Sequence, residues 1–143
     1  MRTVILVRAV LLLTLLAIDG CGPTMATTSG KVVFDDGTPY TDCGMVLFEK
    51  TADGKTDSAR AEIAPDGTFT LSTAKPGDGV PPGLYKFCVT PRSELIPRIP
   101  NQPIGPFFDP KFSSFKTSNL TFEVKPGSNF CEVKVGLPIR AGK

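Results

Sequence analysis

The sequence predicts an all-β domain, seven short strands folded as a two-sheet β-sandwich behind an N-terminal signal helix. Three observations predict it. Fourteen Pro and fourteen Gly in 143 residues are turn-rich for a globular chain. Apolar residues after position 20 alternate with polar ones in short runs, and Asp-Gly or Pro-Gly turns separate those runs. Long helical periodicity is missing over the same stretch. A chain of 143 residues is one domain's length, long enough to bury a core of its own.

Residues 1–20, MRTVILVRAVLLLTLLAIDG, read as a secretory leader. Arg2 and Arg8 supply the positive flank, and Ala9 to Ile18 is an uncharged apolar run. That run is too short to cross a bilayer, which takes about 20 residues. Extending it back to Val4 would bury Arg8 in hydrocarbon. Ile18-Asp19-Gly20-Cys21 then resembles the bacterial lipobox, whose cysteine is acylated (palmitate is a usual acyl chain) and becomes the new N-terminus. Ile18, Gly20 and Cys21 fit it; Asp19 departs from the small residue usual at −2. Two or more acyl chains on Cys21 are enough for stable anchoring. An ordinary signal cut near Gly20 that leaves Cys21 as a thiol, and an uncleaved anchor, are the alternatives. Residues 21–29 are small and polar and read as a flexible tether.

The domain spans 30–143. Its expected strands are Gly30–Phe34, Gly44–Lys50, Ser58–Ile63, Thr68–Ser72, Gly83–Thr90, Leu120–Lys125 and Asn129–Leu137. Asp35-Asp36-Gly37 closes the first and Asp53-Gly54 follows the second. Pro65-Asp66-Gly67 reads as a hairpin turn, and Pro126-Gly127-Ser128 separates the last two strands. Parity within each run names the core: Val46, Phe48, Phe69, Leu71, Tyr85, Phe87, Val89, Phe122, Val124, Val133 and Val135. Residues 91–119 interrupt the pattern. They hold Pro97, Pro100, Pro103, Pro106 and Pro110 beside Leu95, Ile96, Ile99, Ile104 and four Phe. So many prolines cannot pair into a central sheet, and so many apolar groups do not suit a linker. The segment is expected to wrap an edge or end of the sandwich, as a long functional loop does.

The stretches SGKVVFDDGTPYTDCGMVLFEK, APDGTFTLST and GVPPGLYKFCVTP resemble the carboxypeptidase-regulatory-like, transthyretin-like domain. The matching positions are Gly30-Val32, Asp36-Gly37-Pro39, Val46-Phe48, Asp66-Gly67-Phe69-Leu71 and Pro81-Pro82-Gly83-Tyr85. With the lipobox, and with Phe108-Asp109-Pro110 and Ser118-Asn119-Leu120-Thr121 in the tail, the chain is similar to small lipoproteins of planctomycete-type bacteria. The resemblance implies a Greek-key sandwich of the prealbumin or immunoglobulin-like kind. It implies no peptidase activity, because in carboxypeptidases this module sits beside the catalytic domain.

No residue is expected to be catalytic. The chain has no His, so the commonest general base and metal ligand is missing. Asp35, Asp36, Asp53, Asp66 and Asp78 sit at or next to Gly, where Asp-Gly is turn chemistry. No D-x-D-x-D-G spacing marks a calcium loop, and no metal or cofactor is expected. Once Cys21 is acylated, three cysteines remain, and export permits disulfides. Cys43 and Cys88 fall on the face opposite the core residues and form the candidate bridge, while Cys131 points inward as a thiol. Cys88–Cys131 and no bridge at all remain open. Tyr85, just after Pro81-Pro82-Gly83, resembles a tyrosine corner. Phe107, Phe108, Lys111, Phe112 and Phe115, with Arg92, Arg98 and Lys116 near them, form the candidate binding loop for a polysaccharide or an anionic surface.

The net charge is +2, and losing Arg2, Arg8 and Asp19 with the leader leaves +1, no footprint for nucleic acid. The expectation is therefore a non-catalytic lipoprotein of the cell envelope. It is anchored to the cell membrane or outer membrane, faces the periplasm or exterior, and meets a protein or polysaccharide partner. A carboxylate-dependent exported hydrolase and an accessory subunit of an exported complex are the alternatives.

Overall fold

The computed structural model describes residues 24–92 and 107–139. The leader, Cys21, and the part of the Pro-rich segment that holds Leu95, Ile96, Arg98 and Ile104 lie outside the described residues. Among them the strands are β1 (Thr27–Val33), β2 (Gly44–Ala52), β3 (Lys55–Ile63), β4 (Thr68–Thr70), β5 (Gly83–Pro91), β6 (Leu120–Val124) and β7 (Ser128–Lys134). They form two sheets, ordered β4-β1-β7 and β3-β2-β5-β6. All pairings within the sheets are antiparallel except β1 with β7, which run parallel from Thr27↔Ser128 to Val33↔Lys134.

The expected core is the observed one. Val46, Phe48, Phe69, Leu71, Tyr85, Phe87, Val89, Val124, Val133 and Val135 are buried between the sheets, with Phe122 half-buried against them. Phe48 stacks on Phe87 with ring centroids 4.6 Å apart and planes 9° from parallel. Tyr85 and Phe122 meet Phe48 at 6.0 and 6.3 Å.

Two glycines are fixed by what surrounds them. Gly30 faces Phe69 across the β1–β4 ladder, and a Cβ there would strike the Phe69 ring and the Cys131 carbonyl. Gly67 has φ +83°, and its carbonyl accepts from Val32 N at 2.8 Å, tying the turn to β1.

One strand boundary is corrected. β1 starts at Thr27 rather than Gly30, because the parallel ladder with β7 engages Thr27, Thr28 and Ser29. The turn at Pro65-Asp66-Gly67 is the expected tight fold-back: Gly67 N bonds Ala64 O at 2.8 Å, Ala64 N bonds Thr68 O at 2.8 Å, and Arg60 and Ser72 pair antiparallel beyond them. β3 pairs with β2 while β4 pairs with β1, so the turn carries the chain from one sheet to the other.

The direction of β1 gives the domain two ends. Ala26 and Val80 exchange backbone hydrogen bonds of 2.8 and 2.9 Å, and Thr27 N bonds Gly127 O at 2.9 Å, so the chain enters beside the 79–82 and 125–128 turns. At the other end Phe34, Tyr40 and Phe108 pack edge to face, with centroid distances of 6.0 and 5.2 Å.

Candidate functional site

The turn aspartates come first, because they carry the negative charge that chemistry would need. Asp36 Oδ1 accepts from Thr38 N at 2.9 Å and Thr38 Oγ1 at 2.6 Å. Asp66 Oδ1 repeats this with Thr68, at 3.0 and 2.6 Å. The threonine hydroxyl, and then its N–H, hold each carboxyl below the usual carboxylate range. Asp78 goes further, accepting from Lys75 N, Thr73 N and Ala74 N at 2.8 Å and from Thr73 Oγ1 at 2.9 Å. Those donors, the Lys75 and Thr73 amides foremost, keep it ionised far into acid. Each carboxylate organises its own loop, the role that Asp-Gly spacing predicts.

Tyr85 is a tyrosine corner in fact. Its hydroxyl donates to Pro81 O at 2.8 Å while the ring is fully buried. Lys50 Nζ lies 5.3 Å from the ring centroid, donates to Pro82 O at 3.1 Å and pairs with Asp57 at 3.1 Å. Burial, and secondarily the Asp57 charge, push the phenol up to about 12.

The candidate Cys43–Cys88 bridge is corrected: no disulfide joins Cys43, Cys88 or Cys131. Strand register gives the reason. Cys88 stands opposite Leu47, and Cys43, just before β2, lies four residues earlier, about 13 Å away along the strand direction. Bridged cysteines have Cα atoms within about 7 Å. Cys131 is buried against Gly30, and burial raises its thiol to about 12, so it is no nucleophile. Cys43 is half-buried, with φ +51°.

The candidate binding loop divides into parts that do not share a surface. Phe108 and Phe112 are buried in the core, and Phe112 touches the space beside Gly136. Asp109 caps the short 3-10 helix Pro110–Ser113 by accepting from Lys111 N at 2.9 Å. Lys111 Nζ lies 4.8 Å from the Phe112 ring centroid and 3.5 Å from Asp109. Phe107 pairs with Ile139 through backbone bonds of 3.0 and 2.7 Å. Phe115 alone borders an open notch. As expected of the segment, its described part closes an end of the sandwich.

Concavities among the described residues lie at different places on the sandwich. One, about 810 Å³, is an open groove at the far end of β2 and β3, lined by Cys43, Met45, Glu62, Ile63, Pro65 and Arg92. A second, about 400 Å³, lies where Arg60 and Ser72 exchange backbone bonds of 2.9 and 3.0 Å between the sheets. A third, about 350 Å³, sits on the outer face of the four-stranded sheet beneath Phe115. Its floor is a row across three strands, Glu49 opposite Lys86 and Lys86 opposite Thr121. Sequence parity puts these three outward, but only the order β2-β5-β6 aligns them. Among the described residues no group of three or more Cys, Asp or Glu could hold a metal ion, and no helix is long and apolar enough to cross a membrane.

No protein-family model matches the chain, and neither a curated protein nor a solved structure is significantly similar to it.

Proposed function

We propose that this chain is an exported lipoprotein, held in the envelope membrane by acylated Cys21, whose β-sandwich serves as a non-catalytic binding or structural module. The observation that carries the non-catalytic half is where the carboxylates go. Asp36, Asp66 and Asp78 spend their lone pairs on their own loops, and Asp57 is paired with Lys50. A carboxylate hydrolase needs two such groups converging on a cleft. The anchored half rests on Ile18, Gly20 and Cys21 behind a short apolar run. It gains from geometry: Ala26, the first of the described residues with a backbone bond into the fold, is five positions from Cys21, so a short tether suffices. Anchored there, the domain turns its 34–43, 64–67 and 107–118 segments away from the membrane.

The sandwich is read as a Greek key of the prealbumin or immunoglobulin-like kind. The support is the parallel β1–β7 pair, together with connections β1–β2, β3–β4, β4–β5 and β6–β7 that change sheet.

The test is the intact mass of membrane-extracted protein beside a Cys21→Ala variant. A mass beginning at Cys21 with diacylglycerol and acyl chains added, lost in the variant, is the expected result. An unmodified chain cut near residue 20 and recovered in the soluble fraction would sink the anchor.

A further inference from the structure

We propose that the notch beneath Phe115 is a subsite for a neutral sugar unit of an envelope or extracellular glycan. The inference rests on reading the domain as a binding module and adds the ligand's chemical class. Its volume, about 350 Å³, falls within the roughly 300–1,000 Å³ of small-molecule sites.

The floor is a row of three different hydrogen-bonding groups. Glu49, Lys86 and Thr121 stand side by side on β2, β5 and β6, so their Cα atoms are about 5 Å apart. All three point away from the core. Glu49 and Lys86 are cross-strand neighbours of opposite charge, yet neither the carboxylate nor the ammonium makes a hydrogen bond or ion pair within the described fold. The nearby ion pair is Lys50 with Asp57 instead. An acceptor, a triple donor and a hydroxyl that does both are thus presented together and uncommitted. Half-buried Phe115 walls the notch, and Leu84, 63% exposed, continues the apolar rim.

That arrangement selects its ligand. A free anion meets the Glu49 carboxylate, and a free cation meets the Lys86 ammonium, so each is opposed by one member of the row. A purely apolar ligand would strip water from two charged heads without replacing it. A neutral sugar avoids both costs. One hydroxyl donates to Glu49, its neighbour accepts from Lys86, Thr121 serves either way, and the C–H face of the ring packs on Phe115. The notch lies on a sheet face rather than in an enclosed cavity, so the unit bound can belong to a longer chain.

The experiment uses the mature full-length protein in dimethylamine-oxide micelles, a detergent without sugar headgroups. Saturation-transfer NMR then reads the ring protons of three neutral probes, cellohexaose, laminarihexaose and maltohexaose. Transfer to at least one probe is expected, reduced at least tenfold by Phe115→Ala. Lys86→Ala, at an exposed position that cannot unfold the domain by cavity formation, should reduce it several-fold with unchanged circular dichroism. No transfer to any of the three hexasaccharides overturns the proposal, and so does transfer that both variants leave intact. Failure of the anchor alone would appear as protein leaving the membrane fraction while transfer persists.

Discussion

Raising the pH from 8 to 12 should unfold this domain earlier than its exposed groups would dictate, with Cys131 starting the decline. The thiol is 2% exposed, and burial raises it from an ordinary value of 9.0 to about 12. Because the folded value lies above the unfolded one, the unfolded chain loses its proton first. The stabilisation is complete below pH 9 and drains away as pH climbs toward 12. Three pH units correspond to about 4 kcal/mol in full, and about 2 kcal/mol is gone by pH 10.5. Tyr85, raised from 10.0 to about 12, adds a further loss of the same sign above pH 10. The Cys131 loss alone is a large fraction of the stability of a small domain, about 5–15 kcal/mol. Urea melts followed by far-ultraviolet circular dichroism at half-unit pH steps read this directly. With a slope of about 1–3 kcal/mol per molar urea, the midpoint should fall by about 1–2 M between pH 8.5 and 10.5. In Cys131→Ala the fall should begin a full unit later, at pH 10. A midpoint that stays level to pH 10.5, or a Cys131→Ala profile parallel to the unsubstituted one, would refute the assignment of a buried thiol to the core.

Two substitutions test the packing from opposite sides. Gly30→Ala places a methyl group inside the Phe69 ring and against the Cys131 carbonyl, so overpacking should cost at least about 1–3 kcal/mol by the same urea melts. Thr28→Val should do the reverse. The Thr28 side chain is fully buried, and its Oγ1 has no hydrogen-bond partner, so an isosteric methyl should raise stability by about 1 kcal/mol.

Strand positions and the buried face were legible in the sequence because both follow from a period of two. Val46 and Phe48, or Tyr85, Phe87 and Val89, declare the core face without knowledge of any partner strand. Pairing was not legible. Ser58–Ile63 and Thr68–Ser72 flank a tight Pro-Asp-Gly turn and fold back on each other there, but nothing in those residues reports that β4 also docks on β1. The deciding contact is Phe69 lying over Gly30, a pairing across about 40 residues that no local pattern can specify. The Cys43–Cys88 expectation failed for the same reason. Parity treated Cys43 as a strand residue, whereas it precedes β2 with φ +51°, and the β2–β5 register sets Cys88 opposite Leu47, well along the ladder.

The aromatic segment shows how the same missing information misleads about a site. Phe107, Phe108, Phe112 and Phe115 are close in sequence, and with Lys111 among them they look like one exposed binding face. The 3-10 helix breaks that unity. Its tighter turn sends Phe112 inward, where it joins Phe108 in the core, and the chain then leaves the helix so that Phe115 reaches the outer sheet face. Two phenylalanines are spent closing the end of a sandwich whose β5 extends past β6, since β6 pairs only as far as Phe87. Ser118 Oγ finishes that edge by donating to Phe87 O at 2.7 Å. Of its described rings Phe108 and Phe112 are therefore structural, and the one left for the proposed recognition is Phe115, beside the Glu49, Lys86 and Thr121 row. That row is drawn from strands that the sequence presents as ordinary framework, so the proposed binding surface is one that sheet order assembles rather than any contiguous motif.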